Sequence, residues 1–74
     1  MALTKSAAHD RTFSGASMER LRQAKGLTQR EMALGLGVTE ATYRNWASGR
    51  TNPDSDFIPK IMGMLTCSFN DLYE

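Results

Sequence analysis

From residue 13 onward, apolar residues recur every three or four positions, in short blocks that glycine, serine and threonine separate. Ser14 precedes the first block as a helix N-cap, and Phe13 and Met18 are spaced to pack against each other across it. Gly26 closes the block with a residue that tolerates a positive φ. The pattern predicts a first helix between Ser14 and Gly26, and no stretch alternates in the way that indicates a β-strand.

The second block has an explicit start signal. Thr28 and Glu31 have the spacing of a capping box, in which each side chain accepts a hydrogen bond from the backbone N–H of the other residue. Gly37 can take the left-handed conformation that ends a helix. These residues predict a second helix of barely two turns.

The third block follows almost directly. Thr39 is its N-cap, and Tyr43 and Trp46 lie three positions apart, which predicts that both face the core. The outward positions are mostly polar; they are Glu40, Ala41, Arg44, Asn45 and Ser48.

A fourth apolar block consists of Ile58, Ile61, Met62 and Leu65. Its start is left open by Pro59: a helix that begins at Ser55 would be kinked, whereas one that begins near Ile58 would hold Pro59 at the favoured first position. Asp54 or Asp56 is available as its cap.

The two ends of the chain differ in pattern. Ser68 begins a last short turn over residues 69–73, with Phe69, Leu72 and Tyr73 as its apolar residues. Residues 1–12 show no sustained apolar period, which predicts a mobile N-terminal arm followed by one domain over residues 13–74.

Composition narrows the class of protein. The chain has 74 residues, of which 41% are hydrophobic, as expected for one small globular domain. Cys67 is the one cysteine and His9 the one histidine, so no disulfide framework, metal site or catalytic constellation can be assembled. No apolar run has the length of a membrane span. We therefore expect a cytoplasmic protein that is not an enzyme and has no cofactor.

Charge is unevenly distributed along the chain. Residues 20–50 hold six Lys and Arg against two acids, whereas residues 51–74 hold one Lys against four acids. This distribution indicates either a one-sided basic surface or scattered solvated charge. Arg20 and Arg22 are interpreted as the solvated face of the first helix.

The second and third helices carry a recognisable motif. Ala33 is small where they would cross, Gly37 forms the turn and Val38 fills the space behind it. The motif is Gln29-x-x-x-Ala33-x-x-x-Gly37-Val38-x-x-x-x-Tyr43-x-x-Trp46-x-x-Gly49, and it resembles the phage repressor and Cro-like (XRE) helix-turn-helix family. The resemblance covers roughly residues 13–73.

The resemblance implies an all-α fold, a compact lambda-repressor-like domain of five helices. It also implies sequence-specific binding of double-stranded DNA, with the protein acting as a repressor-like transcriptional regulator. Its third helix would read the major groove. The positions that match base-reading residues are Thr39, Glu40, Ala41, Arg44 and Asn45, and those that match phosphate contacts are Gln29, Ser48, Arg50 and Asn52. When bound to DNA, the protein would be associated with the nucleoid.

Three positions depart from the family pattern. Tyr43 replaces a β-branched aliphatic residue, and Ala47 replaces a common glutamate, which implies that a local ion pair is absent. Glu40 places a negative charge at the reading end of the third helix, which opposes phosphate attraction.

The apolar residues of the last helix are the candidates for contact with a second copy or with another protein. A weak homodimer is expected, with Phe69 and Tyr73 as interface candidates; the alternative to a dimer is that both aromatics close the bottom of a monomeric core. No membrane or small-molecule partner is expected. The alternative is an antitoxin-like or assembly module that retains the fold and binds another protein. Such a module would expose a large apolar patch near Phe69, Leu72 and Tyr73, whereas DNA binding predicts a basic surface continuous with the third helix.

Overall fold

The computed structural model describes residues 12–74; residues 1–11, most of the predicted arm, lie outside the described part. The helices are α1 (Gly15–Ala24), α2 (Gln29–Leu36), α3 (Glu40–Ala47), α4 (Ile58–Leu65) and α5 (Phe69–Leu72), and a 3-10 turn, Ser55–Phe57, precedes α4. The described residues contain no strand beyond one isolated antiparallel bridge between Phe13 and Tyr73. The prediction of an all-α domain with five helices is confirmed.

The first three helices begin where their capping residues predict. In each, a side-chain hydroxyl accepts from the backbone N–H three residues later: Ser14 from Ser17 at 3.0 Å, Thr28 from Glu31 at 3.0 Å and Thr39 from Thr42 at 3.1 Å. The capping box is complete, because the N–H of Thr28 donates to Oε1 of Glu31 at 2.7 Å.

The start of α4 resolves the ambiguity at Pro59. The α-helix begins at Ile58, so Pro59 lies in its first turn, where its missing N–H costs no hydrogen bond. The expectation that Asp54 or Asp56 caps α4 was wrong, because the 3-10 turn lies between Asp54 and the helix and Asp56 is inside that turn. The backbone starts the turn instead, with the N–H of Phe57 donating to the carbonyl of Asp54 at 2.9 Å.

All five helices contribute to one core. Its buried apolar residues are Phe13, Met18, Met32, Ala33, Leu36, Tyr43, Trp46, Ile58, Ile61, Leu65 and Leu72. The start of α1 packs directly on the end of α3, since a β-carbon on Gly15 would overlap the carbonyl oxygens of Trp46 and Ala47. The orientation of α3 therefore depends on the absence of a side chain at Gly15.

The chain segments before α1 and after α5 are joined. Thr12 and Glu74 exchange backbone hydrogen bonds at 3.1 and 3.0 Å, and the N–H of Ser14 donates to the carbonyl of Leu72 at 2.7 Å. The hydroxyls of Ser14 and Ser17 donate to the carboxylate of Glu74 at 2.9 and 3.3 Å. Thr12, the last residue of the predicted arm, is thus hydrogen-bonded to the domain.

Candidate nucleic-acid interface

A tight turn joins α2 to α3. Gly37 has a φ of 77°, and the N–H of Val38 donates to the carbonyl of Ala33 at 3.0 Å. Ala33 is buried, as expected for the small residue at the crossing of two helices, and Val38 packs against the core. The geometry is that of a helix-turn-helix unit.

Two aromatic side chains determine which face of α3 points outward. Tyr43 and Trp46 are 0% and 4% exposed, so both are anchored in the core, as predicted. The other predicted site residues of α3 and the following loop are half-buried or exposed; they are Thr39, Glu40, Ala41, Arg44, Asn45, Ser48, Arg50 and Asn52. The result is a polar surface on α3 that is fixed from behind by two large side chains.

Three hydrogen bonds from the loop after α3 converge on the carbonyl oxygen of Asn45, near the end of that helix. The backbone oxygen of Asn45 accepts from the N–H of Arg50 at 2.9 Å, from the N–H of Thr51 at 3.2 Å and from the Ser48 hydroxyl at 3.2 Å. The backbone at Arg50 therefore keeps a defined position relative to the outer face of α3.

Three of the predicted contact residues meet at the surface. The guanidinium of Arg44 donates from Nη2 to Oε2 of Glu40 at 3.0 Å and from Nε to Oε1 of Gln29 at 3.4 Å. The Arg44 and Glu40 side chains are 59% and 40% exposed, so this ion pair contributes little to stability. Its main effect is to give Arg44 a preferred direction.

Glu19 of α1 lies behind this surface and is the residue that sequence reasoning missed. Its carboxylate accepts from the Tyr43 hydroxyl at 2.6 Å, from Nε2 of Gln29 at 3.0 Å, and from Nε and Nη2 of Arg22 at 2.9 and 3.0 Å. One carboxylate therefore connects α1, α2 and α3. Two signals pointed to it: Glu19 and Arg22 are three residues apart, and a buried Tyr43 requires an acceptor.

The protonation states of this cluster follow from its contacts. Burial opposes ionisation of Glu19, but the hydrogen bonds from Arg22, Tyr43 and Gln29, with the charge of Arg22, hold the pKa of its carboxyl below the ordinary value. Burial, the hydrogen bond to Glu19 and the charge of Glu19 raise the pKa of Tyr43. Glu19 is thus a carboxylate and Tyr43 a neutral donor at neutral pH.

The interpretation of Arg22 as part of a solvated face was wrong. Its side chain is only 12% exposed because it pairs with Glu19 and donates from Nη1 to the carbonyl of Leu27. Arg20 does lie on the exposed face of α1, where its guanidinium donates to the hydroxyl of Ser17 at 3.2 Å. Arg22 is therefore paired within α1, whereas Arg20 stays on the exposed face of that helix.

Exposed apolar side chains are few in the described part. Phe69 is 47% exposed and Leu34, on α2, is 80% exposed. The ring of Tyr73 stacks on Phe69 with centroids 4.2 Å apart and meets the edge of Phe13 at 5.9 Å. Leu72 is fully buried, so of the three apolar residues at this end Phe69 is the one that is mainly exposed.

Within residues 12–74, no three His, Cys, Asp or Glu side chains lie close enough together to hold a metal ion. No helix of this part has the length and apolar character that crossing a membrane requires.

Comparisons with known proteins agree with this geometry. Residues 18–72 match the helix-turn-helix family. Among solved structures, the clp gene regulator ClgR from Corynebacterium glutamicum superposes with a TM-score of 0.72 at 28% sequence identity, over 77% of this chain. The chain spans 61% of the length of that ClgR chain. No curated protein matches the sequence.

Proposed function

Because the chain belongs to the helix-turn-helix family of XRE-type DNA-binding regulators, we propose that it controls transcription by binding one specific sequence of double-stranded DNA. It does so in the cytoplasm, at the nucleoid, as a repressor-like protein, and no catalytic step is part of this function.

In this proposal, α3 enters the major groove with its outer face towards the base pairs. Its N-terminal half carries the base-reading set, which is Thr39, Glu40, Ala41, Arg44 and Asn45. An asparagine amide matches adenine, and an arginine guanidinium matches guanine.

Phosphate contacts would flank the reading helix. Gln29 begins α2, whose first N–H groups carry partial positive charge, and Arg50 follows α3 in a loop whose backbone is held by Asn45. Ser48 and Asn52 complete this set. The set lies on both sides of α3 along the chain, as contacts that position a reading helix must.

The observation that carries the proposal is the burial of Tyr43 and Trp46. Two large aromatic residues are used to fix one face of an eight-residue helix, and the opposite face is left polar. A protein-docking module would instead expose a large apolar patch near Phe69, Leu72 and Tyr73. The alternative of an antitoxin-like or assembly module is further weakened because Leu72 is buried and Tyr73 is half-buried.

Selection of bound sequences from random duplex DNA tests the proposal. We expect one enriched motif for the wild-type protein, and no enrichment would contradict the function.

The Asn45→Ala variant tests the reading register in the same experiment. Loss of a base contact costs about 1–3 kcal/mol of discrimination, so the motif should relax at one position while binding to random DNA survives. Recovery of an unchanged motif would show that Asn45 does not read a base.

We further propose that the protein pairs on DNA as a weak homodimer, because one such domain reads only a few base pairs. The second copy would meet the exposed ring of Phe69. Tyr73 supports that ring by stacking and also packs on Phe13, so Phe69→Ala is the cleaner probe.

The Phe69→Ala variant should bind a duplex with two half-sites without cooperativity. Its free energy of unfolding should stay within about 1 kcal/mol of the wild-type value. Sedimentation with and without duplex measures the pairing, and a wild-type protein that binds strictly one per site would exclude the dimer.

A further inference from the structure

Glu19, Gln29 and Arg44 form a chain of hydrogen bonds that runs from the interior to the proposed DNA-contacting surface. Oε1 of Glu19 accepts from Nε2 of Gln29 at 3.0 Å, and Oε1 of Gln29 accepts from Nε of Arg44 at 3.4 Å. Exposure rises along this chain, because the Glu19 side chain is 19% exposed and that of Arg44 is 59% exposed. We propose that Glu19 is a positioning residue for DNA recognition, acting through Gln29 and Arg44. The inference rests on the proposed function.

The charge of Glu19 determines which way the Gln29 amide points. A carboxylate can only accept hydrogen bonds, so the amide must present its NH2 group to Glu19. If the amide were reversed, its carbonyl oxygen would face the carboxylate without a proton between them. The Gln29 carbonyl is therefore directed to a donor, and Arg44 supplies it.

The same arrangement limits the freedom of Arg44. Its Nε donates a hydrogen bond to Gln29 and its Nη2 donates one to Glu40, and Nη1 has no partner among residues 12–74. Arginine recognises guanine with two N–H groups in a fixed fork. A guanidinium that is held on its Nε side loses less conformational freedom when it binds a base than one that moves freely.

The other contacts of Glu19 are sufficient for a purely structural role. Arg22 neutralises the charge of Glu19, and the Tyr43 hydroxyl ties α3 to α1. The bond to Gln29 is different, because it reaches a residue of the proposed contact set. This division allows the two roles to be separated by mutation.

The test is a double-mutant cycle on DNA affinity, with Glu19→Gln, Gln29→Ala and the double variant, measured on the selected duplex and on random duplex. A glutamine has one acceptor oxygen where Glu19 uses two for its four hydrogen bonds, so Glu19→Gln cannot preserve them all. We expect Glu19→Gln to lower affinity for the selected duplex about tenfold in the wild-type background and less than about twofold once Gln29 is alanine.

Tyr43→Phe is the matched control, since it removes one hydrogen bond from Glu19 and leaves Gln29 untouched. It should lower thermal stability and change affinity for the selected duplex less than about twofold at a temperature where the protein is folded. The side-chain amide resonances of Gln29 give a direct readout, because they should shift in Glu19→Gln and stay in place in Tyr43→Phe. Glu19→Ala takes the place of Glu19→Gln in the cycle if the latter does not fold.

Equal losses from Glu19→Gln in both backgrounds would overturn the positioning role, and so would an equal loss of affinity in Tyr43→Phe. Failure of the proposed function gives a separate result, in which the wild-type protein binds selected and random duplexes alike.

Discussion

Tyr43 needs a hydrogen-bond acceptor that an aliphatic residue at the same position would not need, and Glu19 provides it at 2.6 Å. Arg22 needs a partner for its largely covered guanidinium, and the same carboxylate pairs with it at 2.9 Å. At the scale of single residues, one carboxylate thus serves both the Tyr43 hydroxyl, a departure from the family pattern, and the Arg22 guanidinium. A buried polar group without a partner costs about 1–3 kcal/mol, so the three residues are coupled in stability.

Stability should fall in acid because of Glu19. Its pKa in the folded protein lies below the ordinary value of 4.5, so between the two values the unfolded chain binds more protons than the folded one. The free energy of unfolding therefore decreases as the pH falls through this window, and the contribution of Glu19 is complete above it. Urea unfolding of the wild-type protein and of Glu19→Gln between about pH 6 and pH 3 measures it.

Asp71, whose pKa is lowered by its hydrogen bonds to Ser68, contributes in the same direction in both proteins and cancels in the comparison. The stability difference between wild type and Glu19→Gln should shrink on acidification; a difference that stays constant with pH would contradict the prediction.

At the scale of helices, the contact between the start of α1 and the end of α3 governs how α3, the proposed reading helix, is held. Gly15 is buried against the carbonyls of Trp46 and Ala47, which are backbone atoms and cannot move aside as a flexible side chain can. Gly63, inside α4, is exposed and has open space where a β-carbon would lie. The two glycines differ in packing although each lies in a helix.

Gly15→Ala should therefore destabilise the protein by about 1–3 kcal/mol, as overpacking does. Gly63→Ala is the matched control and should stabilise it by about 0.5–1 kcal/mol, because alanine has the higher helix propensity. Urea denaturation compares the two variants. If Gly15→Ala is as stable as Gly63→Ala, the close packing of α1 on α3 is incorrect.

At the scale of the molecule, net charge understates the potential for DNA binding. The whole chain carries a formal charge of +1, but the acids of residues 51–74 offset a basic segment that contains the helix-turn-helix unit. The exposed cations Arg44, Arg50 and Lys25 all belong to this segment, but Nζ of Lys25 donates to the hydroxyl of Thr66 at the C-terminal end of α4. Salt dependence of DNA affinity distinguishes the cations that contact phosphates.

Arg50→Ala should weaken binding to all sequences alike and flatten the slope of log affinity against log salt concentration by about 0.9, the effect of one phosphate contact. Lys25→Ala, which removes the same charge from the end of α1, should leave the slope unchanged. Titrating both variants with duplex DNA at several salt concentrations measures the slope. An unchanged slope for Arg50→Ala would remove that residue from the contact set.

The sequence by itself determined where the first three helices begin and that Tyr43 and Trp46 of α3 face the core. Caps such as Thr28 with Glu31 act over three residues, and the periodicity of apolar positions is a property of the helix alone, so both can be read without the fold. The motif around Gly37 likewise specified a helix-turn-helix, because its turn glycine and small crossing residue lie within one short segment. The base and phosphate contacts assigned by resemblance remain predictions.

Only the tertiary structure decided where α4 begins and which side chains of different helices contact each other. It selected the start of α4 at Ile58, and it brought Tyr43 to Glu19 across 24 residues and Glu74 to Ser14 across 60. Such contacts depend on how the helices pack, because residues far apart in the chain meet only after every element has its final orientation. Helix periodicity and capping describe each helix separately, so they could not show that Tyr43 meets Glu19 or that Glu19 accepts a hydrogen bond from Gln29.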